Sequence, residues 1–156
     1  MLIQSVLDQC KTNSMSQTNV FVTNDDEILS DKFGYRLEEI VLDLMTKQQT
    51  ITIGLSGGSL IDILVSILPR LQLPWARLRF FFVDERFVPF SSEDSTYAVY
   101  QAKLFRQLPL TDKNIIKIDP NLENVQVCAQ DYQTKLEQLF DQQNQVRIFL
   151  VDSSDC

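Results

Sequence analysis

The chain has 156 residues, with Lys+Arg 14 against Asp+Glu 21 for a net charge of -7, 44% hydrophobic residues and no histidine. Its length and apolar fraction fit one globular domain and exclude a disordered, collagen-like or low-complexity chain. The acidic balance speaks against wrapping nucleic acid or an anionic membrane, and without histidine no Ser-His-Asp triad, Cys-His dyad or His-ligated zinc site can be built from these residues.

Cys10, Cys128 and Cys156 form no Cys-x-x-Cys pair, so neither a structural zinc nor a redox pair is implied. Three scattered thiols suit a reducing, cytoplasmic setting better than a secreted disulfide framework. The first twenty residues lack a basic-then-apolar leader pattern, and no apolar run reaches the ~18 residues of a membrane span. Residues 1–18 are polar and expected to be poorly ordered, apart from a loose helical turn over Leu2 to Leu7. The folded domain is expected over 19–156.

In chain order, Asn19-Val20-Phe21-Val22-Thr23 reads as a first strand and Asn24-Asp25-Asp26 as a helix start with acids in the first turn. Leu29, Phe33, Leu37, Val41 and Leu44 then recur on one face of a long amphipathic helix. Thr50 to Ser56 is a β-branched strand broken by Gly57-Gly58. Ser59 opens a second helix, with Asp62 placed as a capping-box partner and Leu60, Leu64, Ile67 and Leu71 on its inner face.

Leu78-Arg79-Phe80-Phe81-Phe82-Val83 is a nearly continuous apolar strand, the pattern of a parallel sheet covered on both faces. Tyr97, Tyr100, Leu104 and Leu108 mark a third helix, and Ile115 to Ile118 a brief strand. Val125, Cys128, Tyr132, Leu136 and Leu139 mark a fourth helix, and Arg147 to Val151 a last strand. The alternation predicts an α/β fold: a three-layer sandwich around a mostly parallel, Rossmann-like sheet.

In open α/β sheets ligands bind outside the carboxyl ends of the strands, and two such ends carry unusual residues. At Gly54-Leu55-Ser56-Gly57-Gly58-Ser59 a strand turns through glycines into a helix start. The Gly-Lys-Ser/Thr of a Walker loop is absent, and so is the spaced-glycine dinucleotide pattern. Gly54, Ser56 and Gly58 satisfy Gly-x-Ser-x-Gly, but a nucleophile elbow needs a base that this chain cannot supply as histidine. Two further readings stand beside the elbow: a tight βα turn with a Ser cap, and a cradle of backbone N–H groups for an anion.

The second end is Val83-Asp84-Glu85-Arg86-Phe87-Val88-Pro89. Asp84 falls where the strand stops, and Arg86 brings a planar fork of donors that matches a phosphate. The plainer alternative is that Asp84 caps a turn while Arg86 pairs with Glu85 or Glu93 on the surface. Trp75 suits a core or domain-edge anchor better than a stacking platform.

Together, Gly54 to Ser59, Trp75, Phe80 to Val83, Asp84 to Pro89 and Ser95-Thr96-Tyr97 closely resemble the 6-phosphogluconolactonases in both residues and intervals. The resemblance continues through Asn114 to Ile118, Pro120 and the helix around Ala129, Asp131 and Tyr132. It runs from about Asn19 to Phe140. It implies the fold shared with glucosamine-6-phosphate deaminases and sugar-phosphate isomerases, and hydrolysis of 6-phospho-D-glucono-1,5-lactone to 6-phosphogluconate in the pentose phosphate pathway. It also implies no metal or organic cofactor, a sugar phosphate as the small-molecule partner, and no nucleic acid or membrane. A monomer is expected. Ser56, Gly57, Gly58, Ser59 and Arg86 carry over as substrate and phosphate contacts, and Asp84 as a polar site residue.

The family continues with a strand and Gly-x-Gly-Pro-Asp-Gly-His-Thr, whose histidine is the proposed general base. Here Arg147 to Val151 leads only to Asp152-Ser153-Ser154-Asp155-Cys156. The resemblance therefore implies a truncated form without the catalytic histidine, its C-terminal part of the family fold missing. A non-catalytic sugar-phosphate-binding remnant and a sibling deaminase or isomerase are the alternatives.

Overall fold

The computed structural model describes residues 21–140 and 147–151. The expectations for residues 1–18, for Asn19 and Val20, for Cys10 and Cys156, and for the tail after Val151 lie outside the described residues.

Helix α1 (Asp26–Lys47) starts where the sequence places it. Asp25 is its N-cap, and its carboxylate accepts from the Glu27 and Ile28 N–H groups at 2.9 and 3.1 Å. Leu37 and Val41 face the core, and Phe33 and Leu44 pack at its margin. The first expected strand does not form over Phe21 to Thr23, where Phe21 is 45% and Val22 80% exposed. Thr23 instead leads into the cap, its Oγ1 accepting the Asp25 N–H at 3.1 Å.

Strand β1 (Ile51–Leu55) is followed by α2 (Leu60–Ile67), β2 (Leu78–Phe82), α3 (Thr96–Lys103), β3 (Ile115–Ile116), α4 (Val125–Phe140) and β4 (Arg147–Leu150). Two helices end earlier than their apolar periodicity suggests, each passing into a 3-10 turn. Pro69 turns the end of α2 into a 3-10 turn over Leu68–Arg70, leaving Leu71 extended. Helix α3 ends at Lys103, where Leu104 leaves the helical conformation, and a 3-10 turn at Phe105–Gln107 follows before Leu108, held extended by Pro109. Ser59 is the N-cap of α2 but makes no side-chain capping bond, and Asp62 completes no capping box. Asp62 pairs instead with Lys103 of α3 at 2.9 Å.

The four strands form a wholly parallel sheet in the order β3-β2-β1-β4. Leu55 lies opposite Phe82 on one side and Leu150 on the other. Ile53, Leu55, Phe80 and Phe82 share a buried cluster with Leu37, Val41, Leu64, Tyr100 and Leu104, which places α1, α2 and α3 on one face. The opposite face carries Phe81 and Phe149, whose rings meet edge-on at 5.7 Å, and Phe140 of α4 packs edge-on against Phe81 at 5.5 Å. Gly54 lies beneath these rings. A Cβ there would stand 2.7 Å from Phe81 Cζ and 3.1 Å from Phe149 Cδ1, so only glycine fits. This is the three-layer, mostly parallel α/β sandwich expected from the sequence.

Candidate functional site at the carboxyl ends of the strands

The chain adds β2 and β3 to one side of β1, then returns to place β4 on the other. The strand order thus reverses between β1 and β4, and ligands in open α/β sheets bind at such a reversal, outside the carboxyl ends. The glycine loop occupies that position. The Ser56 N–H donates to the Leu150 carbonyl at 3.1 Å, holding the loop root against the end of β4. Ser56 is only 4% exposed, and its carbonyl accepts the buried Tyr100 hydroxyl at 2.8 Å.

From this fixed root the loop rises to solvent. Gly57 is half-buried, and Gly58 and Ser59 are exposed at the entry to α2. Gly58 has φ 68, the left-handed region where a side chain is strained, and this turn swings the chain from strand into helix. The N–H groups that open a helix have no partner within it, so the turn presents donors and the positive end of the α2 dipole.

The second sequence-predicted cluster lies alongside, because β2 pairs directly with β1. Asp84 and Arg86 are both exposed just beyond the end of β2. Thr96 ties this segment to the glycine loop. Its Oγ1 donates to the Asp84 carbonyl at 3.3 Å, and a Cβ on Gly57 would lie 3.7 Å from the same oxygen. No ion pair joins Arg86 to Glu85 or Glu93 among the described residues, against the plainer sequence reading.

Glu85 has a role the sequence reading did not assign. Its Oε1 accepts the Arg86 and Thr96 N–H groups at 3.0 and 2.8 Å, and its Oε2 accepts the Tyr97 N–H at 2.7 Å. With Ser95 Oγ accepting from Ala98 N–H at 3.2 Å, it closes the open amides of the first turn of α3. Burial pushes the Glu85 carboxyl above its usual value, the three N–H groups oppose that shift, and neighbouring Asp84 adds to it. Burial also raises the Tyr100 phenol, keeping it a neutral donor to the loop root. The local signal for the Glu85 cap was weak, since donor and acceptor lie eleven and twelve positions apart in sequence.

Trp75 packs against the core and opens a 3-10 turn before β2, as an anchor does. Among the described residues no group of three or more His, Cys, Asp or Glu side chains is arranged to hold a metal ion. No described helix is long and apolar enough to cross a membrane.

Comparison with known proteins agrees with this geometry. A probable 6-phosphogluconolactonase from Drosophila melanogaster is 33% identical over 117 residues, covering 74% of this chain and 48% of its own length. The Homo sapiens 6-phosphogluconolactonase is 36% identical over 121 residues, covering 71% of this chain and 46% of its own. Among solved structures, 6-phosphogluconolactonase from Trypanosoma cruzi superposes with a TM-score of 0.65 at 26% identity, over 82% of this chain and 53% of that one. The chain spans about half the length of these relatives. Residues 24–151 match the family model described as glucosamine-6-phosphate isomerases/6-phosphogluconolactonase, and the chain belongs to that family.

Proposed function

We propose that the carboxyl-end crevice binds a sugar phosphate and that the protein acts as a 6-phosphogluconolactonase, opening 6-phospho-D-glucono-1,5-lactone to 6-phosphogluconate. The observation that carries this reading is the left-handed turn at Gly58, set at the strand-order reversal and tied through Thr96 to the Asp84–Arg86 segment. Gly57, Gly58 and Ser59 offer backbone donors to the phosphate, Arg86 supplies a charged fork, Ser56 anchors the loop, and Asp84 faces the sugar hydroxyls. Hydrogen bonds to a charged phosphate contribute roughly 1.5–3 kcal/mol each, enough to hold and orient the substrate.

Hydrolysis of the lactone also requires water to lose a proton as it attacks the carbonyl. None of the 156 residues is histidine, so the base that the family resemblance calls for has no counterpart here. Absence of a positioned base costs ~10²–10⁴ in rate. A second reading, a sugar-phosphate-binding chain without catalysis, is favoured by that same absence. The reading extends to one domain over residues 19–156, working as a cytoplasmic monomer without nucleic-acid or membrane partners; the acidic charge and the scattered thiols support it.

Calorimetric titration of the chain with 6-phosphogluconate tests the site. Saturable heat is expected, and a flat titration overturns the reading. A lactonase assay on the same chain then separates the two roles: turnover above the spontaneous rate supports the enzyme, and binding without turnover supports the second reading.

A further inference from the structure

A second concave surface lies on the β3 side of the molecule and shares no residue with the glycine-loop site. It is a shallow, open groove of about 400 Å³ between the edge strand β3 and helix α4. Arg79, Lys113, Lys117 and Lys135 line it together with Ile115, Ile116, Gln138 and Leu139, and no acidic residue is among its lining. Four of the chain's 14 cationic residues thus gather at one groove of a protein whose net charge is -7.

Away from the groove, four cations have carboxylate partners, whereas Arg86 has none among the described residues. Arg36 pairs with Glu39, Lys47 with Asp43, Arg70 with Asp31 and Lys103 with Asp62. At the groove only Lys135 has a carboxylate, Asp131 at 2.6 Å. Arg79 gives one terminal nitrogen to the carbonyls of Ala76 and Leu78, which fixes its guanidinium at the groove's end. Lys117 lies 2.9 Å from the Tyr97 hydroxyl and over the Tyr97 ring at 4.3 Å, with no carboxylate partner among the described residues. Lys113 is exposed and likewise has none. Clustered positive charges beside a partly apolar wall concentrate anions.

We infer that this groove is a binding site for an organic phosphate of at least two negative charges, its anionic end at Lys113 and Arg79 and its apolar body against Ile116 and Leu139. The inference stands apart from the proposed sugar-phosphate site.

Calorimetric titration of the full chain with ADP, inorganic pyrophosphate and adenosine tests it, with two-dimensional NMR locating the contact. ADP is expected to saturate, to weaken as salt is raised, and to shift the Ile115 and Ile116 amides while those of Gly57 and Arg86 stay in place. Lys113→Glu is expected to weaken ADP at least ~10-fold, with Lys113→Ala moving in the same direction by less, and both leaving 6-phosphogluconate binding unchanged. Pyrophosphate is expected to bind more weakly than ADP because it leaves Ile116 and Leu139 uncovered. The assignment is overturned by absence of saturation with ADP, by adenosine binding as tightly as ADP, by indifference to both Lys113 changes, or by shifts centred on Gly57 and Arg86.

Discussion

The Tyr132 hydroxyl closes both backbone groups of Phe82 that face away from β1. It accepts the Phe82 N–H at 2.8 Å and donates to the Phe82 carbonyl at 3.0 Å. Strand β3 pairs only as far as Phe81, so a side chain from α4 completes the ladder one residue further on. Burial raises the Tyr132 phenol above its ordinary value and keeps it protonated, as the donating half of the bond requires. Tyr132→Phe leaves a half-buried donor and acceptor unpaired and is expected to cost about 1–3 kcal/mol. Urea unfolding measures the loss, and amide exchange at Phe82 should accelerate; unchanged exchange there would show that the hydroxyl is dispensable.

Gly54 is fixed by ring packing rather than by backbone freedom. Gly54→Ala forces its new Cβ toward the edge of Phe81, and overpacking of this kind typically costs about 1–3 kcal/mol. Adding Phe81→Leu to Gly54→Ala should recover part of that loss, because the shorter side chain vacates the contact. A double change whose costs simply add would argue against the clash.

Glu85 carries a pH signature with a definite sign. Its carboxyl titrates above the usual 4.5 in the folded chain, so the native state holds the proton more tightly than the unfolded state. Its contribution is fully present below about pH 4.5 and diminishes as pH rises through the folded value. The stability difference between the native chain and Glu85→Gln should therefore shrink as pH rises above that point. Denaturant titrations across the range measure it, and a difference that widens with pH contradicts the burial argument. Glu85→Ala, which strands three amide donors at once, is expected to cost about 1–3 kcal/mol below pH 4.5 and less as pH rises.

Arg86 and Gly58 should separate binding from folding. Arg86 is exposed and unpaired by any carboxylate among the described residues, so Arg86→Ala is expected to leave the unfolding midpoint within error. Its effect falls on 6-phosphogluconate affinity, by roughly 10- to 100-fold for one charged contact. Gly58→Ala should lower both, since a left-handed alanine costs about 1 kcal/mol and the turn that aims the loop is strained. Loss of stability in Arg86→Ala with affinity intact would reverse the assignment.

Much of this architecture is legible in the residues because it rests on local rules. β-branched and aromatic runs give β1 and β2, apolar periodicity gives α1 and α4, and Asp25 and Ser95 announce their helices. The glycine turn and Arg86 stand out because little else explains those residue types at strand ends. What escapes is whatever depends on a distant neighbour. Val20-Phe21-Val22 has the composition of a strand, but composition cannot reveal whether a partner strand lies beside it, and Phe21 to Thr23 form no strand. Nor can it show that Glu85, read as a surface partner for Arg86, turns back to cap a helix that starts eleven residues later. The early end of α2 was written in Pro69, where periodicity outweighed the breaker.

Asn114 has a consequence for the edge of the sheet. Its amide nitrogen donates to the Trp75 and Leu78 carbonyls at 2.9 and 2.8 Å, while its oxygen accepts the Thr111 N–H and hydroxyl at 2.8 and 2.9 Å. This buried side chain clamps the turn before β2 to the turn before β3. A two-residue strand is too short to choose its own alignment, and a slip by one position would exchange its inward and outward faces. The alignment of Ile115 with Phe80 is thus decided before the strand begins, by an amide whose donors and acceptors are all spoken for. An aspartate there would keep the acceptor and lose both donations, so a single amide-to-acid change could unfasten the sheet's edge while leaving every strand residue in place.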